Sequence, residues 1–248
     1  MSLEIQKVSY EMSGKKIIQD ISISFDEKSL TCILGPNGAG KTTLIKCICC
    51  LVKFQGDILI NGKSISEIDS KSLARQISYV PQSISSDLNF TVEEFILLSR
   101  YPWQGVSDIT QIKIDELLEI TGLIKHRNQL MTTLSGGERQ RALICAALVQ
   151  DSQIILLDEI TSALDPSYQD QIVQLLLKIK DQGKTLIWAT HDINDALLYA
   201  DKLLAMREGK IFSYDSSEAF IKSNTLEKLY ERNFSRMIHP VHKKTVLI

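Results

Sequence analysis

The chain has 248 residues, of which 44% are hydrophobic and 23% charged, and its formal net charge is −2. This composition is typical of a packed globular protein and excludes long disordered regions, and the near-zero charge gives no support to non-specific nucleic-acid binding. The longest apolar run, Ala142 to Val149, is far shorter than the roughly 20 residues that span a bilayer.

The first part of the chain has the pattern of antiparallel strands. Apolar residues alternate with polar ones from position 3 to position 10 and again from position 17 to position 25. A period of two predicts strands with one buried face. A third short strand, Ile58 to Ile60, leads into Asn61-Gly62, a typical hairpin turn. We therefore expect an N-terminal antiparallel β subdomain.

The cysteines favour a reducing compartment. The chain has five, an odd number, and Cys47, Cys49 and Cys50 lie within four residues of one another. This spacing does not suit a disulfide framework. Because the three residues lie in an apolar helical pattern, we expect small buried thiols there and no metal site.

Three apolar runs lack alternation and predict strands that are buried on both faces. They are residues 30–34 (LTCIL), 154–157 (IILL) and 185–190 (TLIWAT). Helical patterns separate these runs, and Pro166 is well placed as the first residue of one helix. Together these features predict an α/β core with a mostly parallel sheet.

The middle of the chain has helical signals and no strand pattern. Thr91 and Glu94 form a capping-box sequence for one helix. A second helix is expected from Ile109 to Ile120, with Gly122 able to end it. We interpret residues 88–150 as a helical subdomain inserted into one domain that covers residues 1–248, with a short tail over residues 215–248.

The segment GPNGAGKTT fits the phosphate-loop pattern G-x-x-x-x-G-K-S/T. Its glycines allow backbone N–H groups to surround phosphate oxygens, and the next helix directs its positive end at the same anion. The lysine can reach the terminal phosphates of ATP, and the threonine hydroxyl can bind Mg²⁺. The predicted phosphate-binding residues are Gly35, Pro36, Asn37, Gly38, Ala39, Gly40, Lys41, Thr42 and Thr43.

Polar side chains follow the other two buried runs. Asp158 and Glu159 end the second run, and His191 follows the third. Ligands of open α/β sheets collect at the carboxyl ends of strands, so Asp158 is expected near Mg²⁺ and Glu159 near an attacking water. Taken singly, each residue has a plainer explanation as a solvated loop, a helix cap or a structural histidine.

A second helix start carries Ser135, Gly136, Gly137 and Glu138 within the segment LSGGERQ. Read locally, Ser135 and Glu138 form a capping box. Two glycines in a first helical turn cost about 1 kcal/mol each against alanine, which a fold tolerates when a ligand must approach the backbone closely. The helix N-terminus is therefore a candidate second phosphate site.

In this combination the sequence resembles the ATPase subunits of ATP-binding-cassette (ABC) transporters. The matching segments, in the family's order, are GPNGAGKTT, Gln82 in the glutamine loop, LSGGERQ, ILLDE, Ala163-Leu164-Asp165 and His191. The resemblance covers most of the chain and implies a phosphate-loop ATPase core with ATP and Mg²⁺ as cofactors. The signature LSGGERQ separates this family from other phosphate-loop ATPases.

The resemblance also implies a division of work between two copies of the chain. In such proteins two copies pack head to tail, and the phosphate loop of each faces the signature of the other. Ser135 and Gly137 would contact the γ-phosphate held by the partner's loop, and Asp165 would link the two sites. Gln82 would sense Mg²⁺ and His191 would support the γ-phosphate.

A finer resemblance concerns the cargo. The segment SRYPWQG, Ser99 to Gly105, is similar to one in ATPases that serve iron–siderophore importers. It implies a peripheral subunit on the cytoplasmic face of the inner membrane that docks through residues 82–104 onto a transmembrane permease, supplied by a substrate-binding protein. Importers of vitamin B12, haem, zinc or manganese remain alternatives. So does a soluble ATPase acting on nucleic acid or the ribosome, although no coiled-coil insertion or second cassette is visible and no nucleic-acid partner is expected.

Two positions depart from the family's pattern. Ile160 stands where the family usually has proline after the second carboxylate, which removes a restraint on Glu159. Met12 stands where an aromatic residue stacks on adenine, and Tyr10 lies two residues earlier. If the strand is regular, both share a face, so either Met12 or Tyr10 is expected to contact the base.

Overall fold

The computed structural model describes residues 1–84, 88–104 and 111–248. The chain divides into two compact units: unit 1 combines Met1–Ile68 with Thr185–Ile248, and unit 2 is Asp69–Lys184. Unit 1 is therefore assembled from the two outer parts of the chain and unit 2 from its middle. The expectation of one domain over residues 1–248 stays a prediction.

Unit 1 contains the predicted antiparallel sheet. Its strands follow the order β2-β1-β4-β5. They are β1 (Leu3–Met12), β2 (Lys15–Phe25), β4 (Gln55–Ile60) and β5 (Lys63–Ser64). Asn61 and Gly62 form the turn between β4 and β5, as predicted. The register of β1 against β2 shifts between Ile5 and Val8 and twice more before Glu11, so β1 is an irregular strand.

A second group of strands in unit 1 has the order β10-β9-β3-β8. They are β3 (Leu30–Leu34), β8 (Thr185–Ala189), β9 (Lys202–Arg207) and β10 (Lys210–Ser216). β3 runs parallel to both β8 and β9. Every residue of β3 and β8 is buried, as expected of strands covered on both faces. Their carboxyl ends therefore meet at one edge of the sheet.

The helices of unit 1 lie beside these strands and in the tail. They are α1 (Lys41–Ile48), α7 (Ile193–Tyr199), α8 (Ser217–Lys222) and α9 (Thr225–Tyr230). The tail ends in a hairpin of β11 (Arg236–Ile238) and β12 (Thr245–Leu247). The tail is thus folded onto unit 1, where Leu226 and Leu229 of α9 are buried.

Unit 2 has a parallel strand pair, β6 (Ile77–Val80) and β7 (Ile154–Asp158). Its helices are α2 (Ser70–Gln76), α3 (Val92–Leu98), α4 (Gln111–Ile120), α5 (Gly136–Gln150) and α6 (Pro166–Asp181). Helices α3, α4 and α5 share an apolar core that includes Ile96, Leu118 and Ala142. These helices fall within residues 88–150, but their status as a separate subdomain stays a prediction.

Most element boundaries match the sequence pattern. Thr91 begins α3 with both bonds of a capping box, and Pro166 is the first residue of α6. Ile109, expected in the second helix, lies outside the described residues. Among the described residues, no helix has both the length and the apolar character needed to cross a bilayer.

The expectation of three buried thiols near position 48 was wrong for two of them. Cys47 is buried, but Cys49 is half-buried and Cys50 is exposed. The reason is that α1 ends at Ile48, and Cys50 has a positive φ of 55° that turns the chain away from the helix axis. The apolar pattern continues beyond the helix that it predicts.

Candidate active site

The phosphate loop joins β3 to α1 in unit 1, and two of its glycines lie against other backbone segments. A Cβ atom at Gly35 would lie 2.2 Å from the carbonyl oxygen of Met206. A Cβ atom at Gly40 would lie 2.8 Å from Cδ1 of Ile18, and Gly40 has a φ of 100°. These positions require glycine for steric and conformational reasons. The loop is therefore held tightly at both ends.

Lys41 begins α1, and its side chain reaches back to the first residue of the loop. It is only 6% exposed. Its Nζ donates a hydrogen bond to the carbonyl oxygen of Gly35 at 2.8 Å. The same ammonium lies 3.5 Å from the carbonyl oxygen of Pro36. A buried ammonium beside the N-terminus of a helix is a favourable environment for phosphate oxygens.

The middle of the loop is open to solvent. Asn37 and Gly38 are exposed, whereas Ala39 is buried and its N–H donates to the carbonyl oxygen of Pro36 at 3.1 Å. A Cβ atom at Gly38 would meet nothing within 4 Å. Thr42 and Thr43, in the first turn of α1, are half-buried. The exposed rim can therefore admit an anion to the N-terminus of α1.

The carboxylates of unit 2 lie where β7 ends. Asp158 is 1% exposed, and the hydroxyl of Tyr79 donates to its Oδ2 at 3.3 Å. Tyr79 lies on the neighbouring strand β6, where it pairs with Leu156. The sequence reasoning missed Tyr79. Its position on a strand parallel to β7, close to that strand's carboxyl end, is the signal that could have found it.

Glu159 has an unusual backbone and a specific partner. Its φ is 50°, in the left-handed region that non-glycine residues rarely adopt. The amide Nε2 of Gln82 donates to Oε2 of Glu159 at 2.7 Å. The structure thus brings two of the predicted residues together within unit 2. Ile160, in place of the family's proline, is fully buried and packs as a core residue.

The predicted signature begins helix α5. The Ser135 side chain accepts a hydrogen bond from the N–H of Glu138, and the Glu138 carboxylate accepts one from the N–H of Ser135 at 2.8 Å. This backbone hydrogen bond and the bond from the Ser135 hydroxyl hold the pKa of Glu138 below its ordinary value. The capping-box interpretation is therefore confirmed, and it does not exclude a second role.

The two signature glycines differ in their surroundings. A Cβ atom at Gly136 would meet nothing within 4 Å, whereas one at Gly137 would lie 3.0 Å from the carbonyl oxygen of Ala163. Ser135 and Gly136 are both exposed. The first turn of α5 therefore presents backbone to the outside of unit 2, as a site for an external ligand requires.

The remaining predicted residues lie at helix starts. Asp165 is exposed and precedes α6 without a capping bond from its side chain. His191 follows β8 and is exposed. The next residue, Asp192, caps α7 by accepting bonds from the N–H groups of Asn194 and Asp195. Thus His191 follows the sheet edge of unit 1, and a capped helix begins two residues after it.

The predicted site residues lie in both units. Unit 1 carries the phosphate loop and His191, and unit 2 carries Gln82, Asp158, Glu159, the signature and Asp165. The expectation that either Met12 or Tyr10 contacts the base stays a prediction, but its premise of a regular strand was wrong, because the register shifts between Tyr10 and Glu11. Met12 is 57% exposed, whereas Tyr10 is half-buried.

Comparison with known proteins supplies independent information. A family model described as ABC transporter matches residues 18–162. The chain is 36% identical to the petrobactin import ATP-binding protein FpuC of Bacillus anthracis, over 86% of this chain and 80% of that protein. It is 29% identical to the iron(3+)-hydroxamate import ATP-binding protein FhuC of Bacillus subtilis (strain 168), over 100% and 94% of the two chains.

Solved structures also match this chain. A nucleotide-free ATP-binding cassette from an ABC transporter superposes with a TM-score of 0.79 at 26% identity, covering 93% of this chain and 98% of that chain. The predicted fold class, an α/β ATPase cassette with an antiparallel β subdomain, is confirmed by this match and by the strand pairings described above.

Proposed function

This chain belongs to the ABC transporter family, and we propose that it is the ATP-binding subunit that powers an importer of iron–siderophore complexes. The cargo class is supported by the relatives, whose names refer to petrobactin import and iron(3+)-hydroxamate import. Tyr101, Pro102 and Trp103, which carry the resemblance to siderophore systems, form a short helical turn.

The observation that carries the nucleotide site is the buried ammonium of Lys41 inside the glycine loop. ATP would place its β- and γ-phosphates against this ammonium and the N-terminus of α1. Lys41 would then exchange its bond to the Gly35 carbonyl oxygen for bonds to phosphate oxygens. Such bonds between charged groups are roughly twice as strong as neutral ones.

Mg²⁺ fits the donor set of the proposed site. Thr42 offers a hydroxyl, Gln82 an amide oxygen and Asp158 a carboxylate, and all three are the oxygen ligands that this hard cation prefers. The bond from Gln82 to Glu159 uses the amide nitrogen, not the amide oxygen. When bound with ATP, Mg²⁺ would neutralise charge on the phosphates.

Hydrolysis would depend on Glu159. A carboxylate oriented by the Gln82 amide can accept a hydrogen bond from a water molecule and draw its proton during attack on the γ-phosphate. His191, exposed at the end of β8, would donate to the γ-phosphate. Gln82 would orient Glu159 and also report the presence of nucleotide.

A second copy of the chain would complete each site. The first turn of α5 is exposed, and its N–H groups and positive helix end suit a γ-phosphate held by another copy. In a head-to-tail dimer Ser135, Gly136 and Gly137 would face the partner's loop. Asp165, exposed and without a capping bond, would contact the partner near the same place.

The permease is the other proposed partner. Leu97, Leu98 and Tyr101 are exposed large hydrophobic residues on α3 and the turn that follows it. We place the docking surface for a transmembrane permease on residues 82–104, which puts the chain on the cytoplasmic face of the inner membrane. A substrate-binding protein would deliver cargo to that permease and would not touch this chain.

Replacing Glu159 by Gln tests the proposed function. Gln keeps the size of the side chain but removes its basicity, so we expect MgATP binding to persist and ATP turnover to fall by at least about a hundredfold. Turnover is measured by phosphate release, and uptake of ferric hydroxamate is measured in cells whose only copy is the variant.

Glu119→Gln, which neutralises an exposed carboxylate of α4, is the matched control. Full turnover in the Glu159→Gln variant would contradict the catalytic role of Glu159. Loss of turnover with undiminished uptake would contradict the proposed cargo and leave the ATPase assignment standing.

A further inference from the structure

Gly35 is the first residue of the phosphate loop, and its N–H donates a hydrogen bond to the hydroxyl of Tyr230 at 3.2 Å. The two residues are separated by 195 positions in the sequence. Tyr230 is the last residue of the tail helix α9.

We propose that Tyr230 is a positioning residue for nucleotide binding, because its hydroxyl fixes the N–H of Gly35 while Lys41 holds the carbonyl oxygen of the same residue. The inference rests on the proposed role of the phosphate loop. It adds that the tail of the chain, far from the motifs in sequence, sets the geometry of that loop.

The burial of Gly35 explains why this bond matters. Gly35 is buried, and a buried N–H without a hydrogen-bond partner is unfavourable. Lys41 and the Met206 carbonyl oxygen restrict Gly35 from other sides, the latter by leaving no room for a Cβ atom. Tyr230 therefore completes the set of contacts that determines where the loop begins.

The Tyr230 hydroxyl keeps one protonation state over the physiological pH range. Burial raises the pKa of Tyr230 to about 12, although the hydrogen bond from Gly35 opposes this shift. The hydroxyl is neutral in the folded protein at physiological pH. Its oxygen accepts the Gly35 N–H under all such conditions.

The tail helix that carries Tyr230 is itself anchored to the strand beside the loop. Arg207, at the end of β9, donates through Nη1 to the carbonyl oxygen of Lys228 at 3.3 Å and pairs through Nη2 with the carboxylate of Glu231. Two residues later, the N–H of Gly209 donates to the carbonyl oxygen of Ala39, within the loop, at 3.1 Å. One short segment after β9 therefore contacts both the loop and the helix that carries Tyr230.

A cavity of about 330 Å³ lies between these parts, lined by Asn37, Gly38, Glu208 and Tyr230 among others. The loop is thus not packed directly on the tail at this point. The hydroxyl of Tyr230 reaches the loop beside an open space. Removing that hydroxyl leaves the Gly35 N–H without this partner.

The test compares Tyr230→Phe with two other variants of the full chain. Tyr230→Phe removes the hydroxyl and keeps the ring, so we expect the KM for ATP and the Kd for MgATP and MgADP to rise about two- to tenfold, the usual effect of losing one hydrogen bond. The kcat, which depends on Glu159, should stay within about twofold.

Tyr214→Phe is the matched control. Tyr214 lies on β10 of the same unit, where it pairs with Leu204 of β9, and its hydroxyl is buried. We expect unchanged KM and Kd in this variant. Equal changes in both tyrosine variants, or no change in Tyr230→Phe, would overturn the proposal.

Lys41→Ala separates this inference from the proposed function. If Lys41→Ala abolishes binding of MgATP and Tyr230→Phe binds normally, only the role of Tyr230 fails. If Lys41→Ala binds normally, the phosphate site itself is wrong. Should Tyr230→Phe fold poorly, Arg207→Gln replaces it, because this change loosens the helix that carries Tyr230. A raised KM for ATP with unchanged kcat then supports the proposal, and an unchanged KM overturns it.

Discussion

Two positions of the phosphate loop require glycine because a side chain would not fit there. Gly35 and Gly40 have no room for a methyl group, because the Met206 carbonyl oxygen and the Ile18 side chain lie within 3 Å of the position that a Cβ atom would take. Glycine at these positions is a steric requirement in addition to a conformational one. The glycines of the loop motif are therefore explained by the segments packed against the loop as well as by the proposed phosphate binding.

An aromatic substitution at Met12 is expected to strengthen nucleotide binding. It is 57% exposed at the end of β1, so a larger ring fits there without repacking the core. We predict that Met12→Tyr tightens ATP and ADP binding about fivefold, since base stacking on an aromatic side chain contributes roughly 1–3 kcal/mol. Isothermal titration calorimetry with both nucleotides provides the measurement.

Glu11→Tyr is the control, because neighbouring residues of a strand point to opposite faces. It adds the same ring on the other side of β1 and should leave the affinity unchanged. If Met12→Tyr has no effect and Met12→Ala and Tyr10→Ala also bind ATP normally, neither residue contacts the base.

At the scale of the element, the chain uses the same capping box twice for different purposes. Thr91 and Glu94 begin α3, and Ser135 and Glu138 begin α5, with both reciprocal bonds present in each case. The residue after Thr91 is Val92, which is fully buried, whereas the residue after Ser135 is the exposed Gly136. The first box serves packing, and the second also leaves backbone open to a ligand.

Thr91→Ala tests the structural box. We expect the free energy of unfolding to fall by roughly 1 kcal/mol, the usual cost of removing an N-cap side chain. Urea titration followed by circular dichroism measures it. Thr132→Ala, at an exposed position of the same unit, should change it little, and an equal loss in both variants would contradict the capping role.

The same box has a predicted pH dependence. The hydrogen bond from the N–H of Thr91, and then that from its hydroxyl, lowers the pKa of Glu94. A carboxyl group whose pKa is lowered by folding stabilises the protein above its ordinary pKa, and this contribution is lost as the pH falls through the lowered value. The stability difference between the wild type and Thr91→Ala should therefore shrink under acidic conditions.

Much of the fold could be predicted from local patterns. The runs LTCIL, IILL and TLIWAT became strands β3, β7 and β8, because uniform burial leaves a clear apolar signature. The residues at their ends were predicted as site residues from the rule that parallel strands present their carboxyl ends at one edge, and this assignment stays a prediction. The apolar periodicity wrongly predicted a buried Cys50, because helix α1 had already ended at Ile48.

Contacts between distant parts of the sequence could not be predicted in the same way. The bond from Gly35 to Tyr230 and that from Gln82 to Glu159 depend on how elements pack, and neither leaves a period in the sequence. The irregular register of β1 arises similarly, from its pairing with β2. Tertiary packing decides such features.

At the scale of the whole molecule, the described residues hold a phosphate loop and an exposed signature turn. In the proposed dimer each of these faces the other copy, so a change in the signature turn tests the assembly. Gly136→Glu adds a negative side chain where a Cβ atom meets nothing within 4 Å. Glutamate is favourable in the first turn of a helix, so the variant should fold at least as stably as wild type. It would repel the γ-phosphate held by the partner.

We therefore expect the Glu159→Gln chain to dimerise with MgATP and the chain that also carries Gly136→Glu to remain monomeric. Size-exclusion chromatography with light scattering distinguishes the two. Thr132→Glu in the same Glu159→Gln background controls for added charge on unit 2. Equal dimerisation of all three proteins would show that the signature turn does not face a partner.

The division of unit 1 between the two outer parts of the chain has a consequence for biosynthesis. Strand β3 needs β8 and β9 as neighbours, and these lie about 150 residues further along the chain. Domains fold as their parts leave the ribosome, and pairings between distant segments form slowly. The phosphate loop is translated before β9 and the tail helix, the segments that contact it in the folded chain. A nascent chain therefore carries its nucleotide motif without the strands that position it until β8 and β9 have been translated.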